Sequence, residues 1–265
     1  SFMAQFPNTY LVIGDPKGGE DYRPLFDLRG CESDDDIYDF VNDTDFRQGE
    51  MRLQNVSLIS SGKQLGKLNK AIASERLRRS QIFEESYVSG YVSYAKKMDA
   101  YGCYENIDMF RILILLDEVP TLAGDINWRK YFVNFVAKYN EARSKGETIC
   151  MGTHSGNLSV TGASNDRNDG RIRESSQVVM FKAKKQPAET VFGVKVESEA
   201  VPGVGLTMLN DKWSSIVKVY IPGQDIIGFS SSCAEAQDYA RQNEYLWACM
   251  QSFRGMLSGD IINMK

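Results

Sequence analysis

The chain has 265 residues, of which 42% are hydrophobic and 25% charged, and its formal net charge is −4. These values are ordinary for a globular protein with a sizeable core, and they argue against a surface that is basic over its whole extent. No apolar run approaches the roughly 18 residues that a membrane-spanning helix needs, and five scattered cysteines with a single histidine argue against a zinc site. We therefore expect a cytoplasmic domain with reduced thiols.

Five short apolar runs are typical of β-strands. In chain order they are Thr9–Gly14, Asn55–Ser60, Ile112–Glu118, Thr148–Gly152 and Gln177–Lys182. The third begins as an uninterrupted run of Ile and Leu, which is typical of a strand buried on both faces of a parallel sheet. Two stretches further on, Gly203–Met208 and Ile216–Ile221, resemble a closing hairpin.

Three longer stretches have the spacing of amphipathic helices. They are Gln64–Ala100, Trp128–Lys145 and Ala234–Met256, and Gly146 suits the position that follows the second. Strands and helices alternate, which predicts an α/β domain over residues 1–232 with a mostly parallel sheet flanked by helices, followed by a C-terminal helix in residues 233–265. Residues 27–50 are acidic and irregular, which indicates a surface insertion.

Polar residues follow three of the predicted strands where each strand ends. Asp15 follows the first, Asp117 and Glu118 end the third, and His154 comes just after the fourth. Right-handed crossovers bring such ends to one edge of the sheet, where open α/β sheets bind their ligands. Ile112–Glu118 has the form of a Walker B segment, whose first acid handles Mg²⁺ and whose second positions the attacking water. The alternative is a core strand that ends in two solvated acids.

Five segments of the chain occur in an order that is known from one family. They are Leu11–Gly19, Ala73–Arg79, Ile112–Glu118, Ala142–His154 and Val201–Met208. In turn they resemble the "LLIDPKGG" strand and turn, the "EMxxR" helix, the Walker B strand, the "ARxxGIHLILATQ" strand and the "LPGxGxxLL" segment of FtsK/SpoIIIE-type translocases. These motors form part of the HerA-like branch of the P-loop ATPases, and the resemblance covers most of residues 9–222.

The resemblance implies a RecA-like core that binds ATP and Mg²⁺ and works as a homo-oligomer, expected to be a hexamer. Asp117 would hold Mg²⁺, Glu118 would be the catalytic base or the residue that positions the attacking water, and His154 would couple the nucleotide state to moving loops. Asp15 and Lys17 would belong to the nucleotide site, with a self-tied turn as the alternative. The resemblance also suggests Arg171 or Arg173 as a finger that reaches into the neighbouring subunit's site.

The transported polymer stays open at this stage. Double-stranded DNA, as in chromosome segregation or conjugative transfer, is the first hypothesis, and a polypeptide, as in type VII secretion, is the second. A third is a docking domain that does not hydrolyse ATP. The cluster Arg76, Arg78 and Arg79 is either a solvated helix face or a DNA contact.

Two departures from the family pattern matter. The Walker A loop is absent; the nearest lookalike, Ser61–Gln64, lacks the first glycine and has Gln where Ser or Thr would hold Mg²⁺. His154 also stands where the family has Gln. We therefore expect this chain to be a piece of a longer protein and to be inactive alone, with membrane contact only through other domains of that protein.

Overall fold

A computed structural model of the chain describes residues 8–16, 55–100, 109–137, 141–153, 179–181, 189, 205–209, 212–216 and 241–258. Four of its strands are β1 (Thr9–Gly14), β2 (Val56–Ile59), β3 (Arg111–Leu116) and β4 (Glu147–Met151). They form one sheet in the order β2-β1-β3-β4, and every neighbouring pair is parallel. The predicted α/β architecture is thus confirmed.

Helices and a second, smaller sheet complete the described part of the chain. The helices are α1 (Gly62–Glu85), α2 (Tyr91–Ala100), α3 (Val119–Leu122), α4 (Ile126–Ala137) and α5 (Glu244–Ser258), with a 3-10 turn at Arg143–Lys145. The second sheet is antiparallel and contains β5 (Val179–Phe181), β6 (Gly205–Leu209) and β7 (Lys212–Ile216). Among the described residues no helix is both long and apolar enough to cross a bilayer.

The long helix predicted over Gln64–Ala100 is in fact two helices. The chain turns at Tyr87, whose φ of 53° is left-handed, and α2 begins at Tyr91. The turn is stable because it brings aromatic side chains of both helices together. Phe83, Tyr91 and Tyr94 are buried in one cluster with Met109. Helical periodicity continues across this turn, so the sequence pattern alone did not mark it.

Other predicted boundaries also shift. Residues Arg143–Lys145 form a 3-10 turn rather than the last turn of an α-helix, although Gly146 does take the expected left-handed conformation with φ of 74°. The second strand of the hairpin is Lys212–Ile216, earlier than the predicted Ile216–Ile221. The acidic segment at 27–50 and the predicted boundary at residues 232 and 233 lie outside the described residues.

The main core lies on one face of the parallel sheet. Alternate residues of the central strands point into it, including Tyr10, Val12, Ile112 and Ile114, all fully buried. Helices α1, α4 and α5 cover this face. Phe253 of α5 makes an edge-on contact with the Tyr10 ring at a centroid distance of 5.0 Å. Helix α5 is therefore packed into the core of the parallel sheet.

The arginine cluster of α1 is not a solvated face: Arg78, with 24% of its side chain exposed, pairs with Glu75, and the other two arginines are more deeply buried. Arg79 is completely buried, and Arg76 is 8% exposed. Arg76 forms a two-pronged ion pair with Glu147 at the start of β4, with N···O distances of 2.8 and 2.6 Å. Arg79 donates to Glu75 at 2.7 Å and to the Phe110 carbonyl at 2.6 Å. These contacts fasten α1 to the amino ends of β3 and β4.

Candidate functional site at the carboxyl edge of the parallel sheet

The ends of β1 and β3 place three acids along one edge of the sheet. The Asp117 amide donates to the Gly14 carbonyl at 2.8 Å, so the first acid after β3 lies beside the last residue of β1. Asp15 follows directly, is 2% exposed, and donates its amide to Ile59 of β2 at 2.9 Å. The predicted convergence of Asp15, Asp117 and Glu118 on one edge is therefore present.

Glu118 has an unusual backbone conformation. Its φ and ψ are 43° and 46°, in the left-handed region, where a residue with a side chain is disfavoured by about 1–2 kcal/mol. It links the end of β3 to the short helix α3, and its carbonyl accepts the amide of Thr121 at 2.8 Å. Strained residues of this kind concentrate at functional sites. No local pattern in the sequence indicated this conformation.

Asp117 supports the Glu118 backbone directly. Its carboxylate oxygen Oδ1 accepts the Glu118 amide at 2.9 Å, and both side chains are partly buried. A carboxylate oxygen is also the ligand type that Mg²⁺ prefers, and a partly buried glutamate is suited to orient a water molecule. The pair can thus supply both an oxygen ligand and a proton acceptor at the same edge.

The described residues do not form a metal site made of protein ligands alone. Among them, no three His, Cys, Asp or Glu side chains converge closely enough to hold a metal ion. Mg²⁺ in nucleotide enzymes is usually held by one or two carboxylates together with substrate phosphates and water. Asp117 fits that incomplete type of site, whose other ligands come from the nucleotide.

The Ser61–Gln64 segment is the start of α1, and its polar groups are already used. Ser61 is the N-cap and accepts the Gln64 amide, while the Gln64 side chain accepts the amide of Ser60 at 2.7 Å. Asp125 Oδ2 accepts the amide of Gly62 at 2.7 Å. A protein carboxylate thus bonds the first amide of this helix, a group that at other helix starts can bind an anion. The geometry agrees with the interpretation that this segment is not a Walker A loop.

Two residues important for the geometry of this edge were not singled out from the sequence. Asp125 ties the start of α1 to the start of α4 by accepting the amides of Gly62 and Asn127, each at 2.7 Å. Gly152 follows β4 and forms backbone hydrogen bonds with Leu116 and Val119, the residues on either side of Asp117 and Glu118. In the sequence, Gly152 was distinguished only by its position, where the family motif "ATQ" has Ala. No sequence pattern indicated that Asp125 is important.

Four of the predicted site residues, Lys17, His154, Arg171 and Arg173, lie outside the described residues. Thr153, the last described residue before His154, is exposed just past the end of β4. The roles assigned to all seven site residues remain predictions.

Comparisons with known proteins show which structures this chain resembles. No family model and no curated protein matches the sequence. Among solved structures the chain is similar to the pCW3 conjugation coupling protein TcpA, in its monomer form with ATPγS. The TM-score is 0.57 at 16% identity, over 89% of this chain and 57% of that one.

Two further structures, one of them of a type VII secretion ATPase, match less well, both at a TM-score of 0.49. The cytoplasmic domain of the ATPase EccC from Thermomonospora curvata is 17% identical over 82% of this chain and 26% of that one. EssC (ATPases 2 and 3) from Geobacillus thermodenitrificans is 13% identical over 93% and 45%.

The likeness to the coupling protein shows the fold of the chain. It is the RecA-like α/β fold of the P-loop ATPases, as in FtsK/SpoIIIE-type motor domains, and the recognition made from the sequence motifs is confirmed at that level. The chain spans less than two thirds of the length of each of the three structures.

Proposed function

We propose that the chain is the core of an ATP-driven ring motor that moves double-stranded DNA, as in conjugative transfer or chromosome segregation. The observation that carries the proposal is the position of Glu118. It is an acid in a left-handed conformation, directly after the buried central strand of a P-loop ATPase fold, with Asp117 bonded to its amide. This is the place where such a fold needs a water-orienting carboxylate.

We assign a separate role to each residue of this edge. Asp117 would hold Mg²⁺, and bound Mg²⁺–ATP supplies the phosphoryl group that is transferred. Glu118 orients a water molecule and accepts its proton. Asp15 and Lys17 line the nucleotide site next to it. The start of α1 would not bind the phosphates, since its Gly62 amide already donates to Asp125 Oδ2.

Residues beyond the described edge would complete the motor in a homo-oligomeric ring, most simply a hexamer. His154 would hydrogen-bond the attacking water or the terminal phosphate and so transmit the nucleotide state to the loop that follows it. Arg171 or Arg173 would neutralise charge on the phosphoryl group in the neighbouring subunit's site. Loss of those contacts after hydrolysis would release the loop that touches the polymer.

DNA is the substrate we favour, because a structure that matches with a TM-score of 0.57 is that of a conjugation coupling protein. Two observations favour a polypeptide instead. Arg76 and Arg79 of α1, which the sequence left open as DNA contacts, are buried against the sheet, and the formal net charge of the chain is −4. A DNA motor and a polypeptide motor would thus share the same catalytic edge and differ in the polymer that they move.

The test is ATP turnover by the full-length protein, measured with and without linear double-stranded DNA. We expect DNA to stimulate turnover and Glu118→Gln to reduce it by about 10²- to 10⁴-fold, the usual contribution of a general base. The matched control is Glu85→Gln, the same substitution at the exposed last residue of α1. This variant should retain full activity.

The outcomes separate the candidate functions. Turnover that ignores DNA but is lost in Glu118→Gln would replace DNA by a polypeptide substrate. Turnover absent from the parent protein would support a docking domain without hydrolysis. Turnover that survives Glu118→Gln would refute the role of this edge.

A further inference from the structure

The first half of the outer face of α1 is basic. The positions of this helix that face away from the sheet recur every three or four residues, and in order they are Lys63, Lys67, Lys70, Ser74, Leu77, Gln81 and Glu84. Lys63 and Lys70 are exposed, and Lys67 lies partly exposed between them. No acidic residue occurs from Gly62 to Ser74, so positive charge is concentrated here although the net charge of the chain is −4.

Helix α4 brings a further lysine beside this stripe. A Cβ at Gly66 would lie 2.9 Å from the Tyr131 ring, and the Asn69 side-chain amide donates to the Tyr131 carbonyl at 2.9 Å. Lys130 is exposed, and its Nζ lies 5.6 Å from the centroid of the Tyr131 ring. Because Gly66 and Asn69 belong to the basic half of α1, Lys130 lies next to that half. These four lysines, which we call the lysine face, are Lys63, Lys67, Lys70 and Lys130.

The acids closest to the lysine face in the fold are engaged elsewhere. Within the part of the chain that the structure describes, no carboxylate forms an ion pair with Lys63, Lys70 or Lys130. Asp125, at the starts of α1 and α4, accepts two backbone amides at 2.7 Å each. Glu75, the first acid of α1, is 5% exposed and pairs with two arginines of the same helix. Lys63, Lys70 and Lys130 therefore present their charge to the solvent.

The spacing of these charges suits the backbone of DNA. Lys63 and Lys70 are separated by about 10 Å along the axis, since an α-helix rises about 1.5 Å per residue. One strand of duplex DNA carries a phosphate about every 3.4 Å along its axis, so about three phosphates fall within that length. Lysine binds phosphate as a point charge and needs no fixed orientation. A regular row of phosphates is thus a better match than the irregular charges of a polypeptide.

We propose that the lysine face binds the phosphate backbone of double-stranded DNA, whatever its base sequence. The proposal rests on the proposed function for its substrate, because it names the surface by which the motor holds its DNA. It does not depend on Glu118 or on hydrolysis. It also accounts for DNA binding by an acidic chain whose Arg76 and Arg79 are buried.

The experiment measures binding of a short labelled duplex by the full-length protein, by fluorescence anisotropy without nucleotide. The parent is compared with a triple variant that combines Lys63→Gln, Lys70→Gln and Lys130→Gln. Each lost phosphate contact should reduce the slope of log affinity against log salt by about 0.9, so the triple variant should lose about 2.7. Its deficit in affinity should therefore shrink by about 40-fold when salt rises from about 50 to 200 mM.

The matched control combines Lys96→Gln, Arg111→Gln and Arg143→Gln. These three cations are also exposed, and Arg111 and Arg143 lie at the opposite, amino edge of the parallel sheet. The control removes the same net charge, so it should keep the parental salt slope if the lysine face is the contact. Surface substitutions of this kind change stability by about 0.5 kcal/mol or less, so both variants should fold.

Two results would overturn the proposal. One is a triple lysine variant that loses no more affinity or salt slope than the control, because the effect would then come from net charge alone. The other is a parent protein that binds no duplex. Binding of polyglutamate by that parent, lost in the triple lysine variant, would instead assign the lysine face to an acidic polypeptide.

Failure of the proposed function is distinguishable from failure of this inference, since ATP turnover with and without DNA is measured on the same proteins. If DNA stimulates the parent and the triple lysine variant equally, the DNA motor stands and the lysine face is wrong. If the lysine face binds DNA but DNA leaves turnover unchanged, the inference stands and the DNA motor is wrong.

Discussion

The buried ion pair between Arg76 and Glu147 is the contact whose removal we expect to be most damaging away from the candidate site. Both guanidinium–carboxylate contacts are short, at 2.8 and 2.6 Å, and the Glu147 side chain is completely buried. Burial by itself would lower the pKa of Arg76, but the hydrogen bonds and charge of Glu147 outweigh it and raise that pKa. Arg76 therefore stays charged at neutral pH.

Arg76→Met removes the cation and leaves a buried carboxylate without its main partner. Breaking a buried pair in this way typically destabilises a protein by about 3–5 kcal/mol. With about 2–4 °C of melting temperature per kcal/mol for a domain of this size, the expected drop is about 6–20 °C. Replacing both residues, as in Arg76→Met with Glu147→Leu, removes the unpaired charge and should restore most of the loss.

The assay is thermal and urea unfolding of the parent, both single variants and the double variant. Arg143→Met is the matched control, because Arg143 is exposed just before β4, and its effect should stay within about 0.5 kcal/mol. Single-variant losses that simply add in the double variant would refute the reasoning, because they would mean that the two residues stabilise the fold independently.

Two further predictions follow from described contacts. Burial would raise the pKa of Glu75, but the hydrogen bond from Arg78 and the charge of Arg79 lower it below its usual value of 4.5. The stability that this shift adds is present above about pH 4.5 and is lost as the pH falls further. Below about pH 4.5 the urea midpoint of Glu75→Gln should therefore change less with pH than that of the parent. Gly→Ala inside a helix normally stabilises a protein by about 1 kcal/mol. A Cβ at Gly62, however, would lie 2.0 Å from the Trp128 amide nitrogen, so Gly62→Ala should lower the melting temperature. An unchanged or higher melting temperature would contradict the close approach of α1 and α4.

Much of the fold could be predicted because its signals are local. The run Ile112–Leu116 is apolar at every position since β3 is a central strand of the parallel sheet, between β1 and β4. β1 was located at Thr9–Gly14 for the same reason, and the polar residues after each strand placed Asp15, Asp117 and Glu118 on one edge. The order of these segments then indicated the family fold.

The sequence by itself thus determined the four strands of the parallel sheet, the helical character of α1, α4 and α5 and which acids share an edge, because periodicity and burial are encoded within a few neighbouring residues. It did not determine the break at Tyr87 or the position of β7. Only the tertiary structure decided whether the arginines of α1 are exposed or buried. Arg76 bonds to Glu147, 71 residues away, and Arg79 donates to the Phe110 carbonyl, 31 residues away. Glu118 likewise lies where β4 adjoins β3, since the Gly152 amide donates to the Leu116 carbonyl and the Gly152 carbonyl accepts the Val119 amide. Contacts between distant segments decide such features, and no local pattern records them.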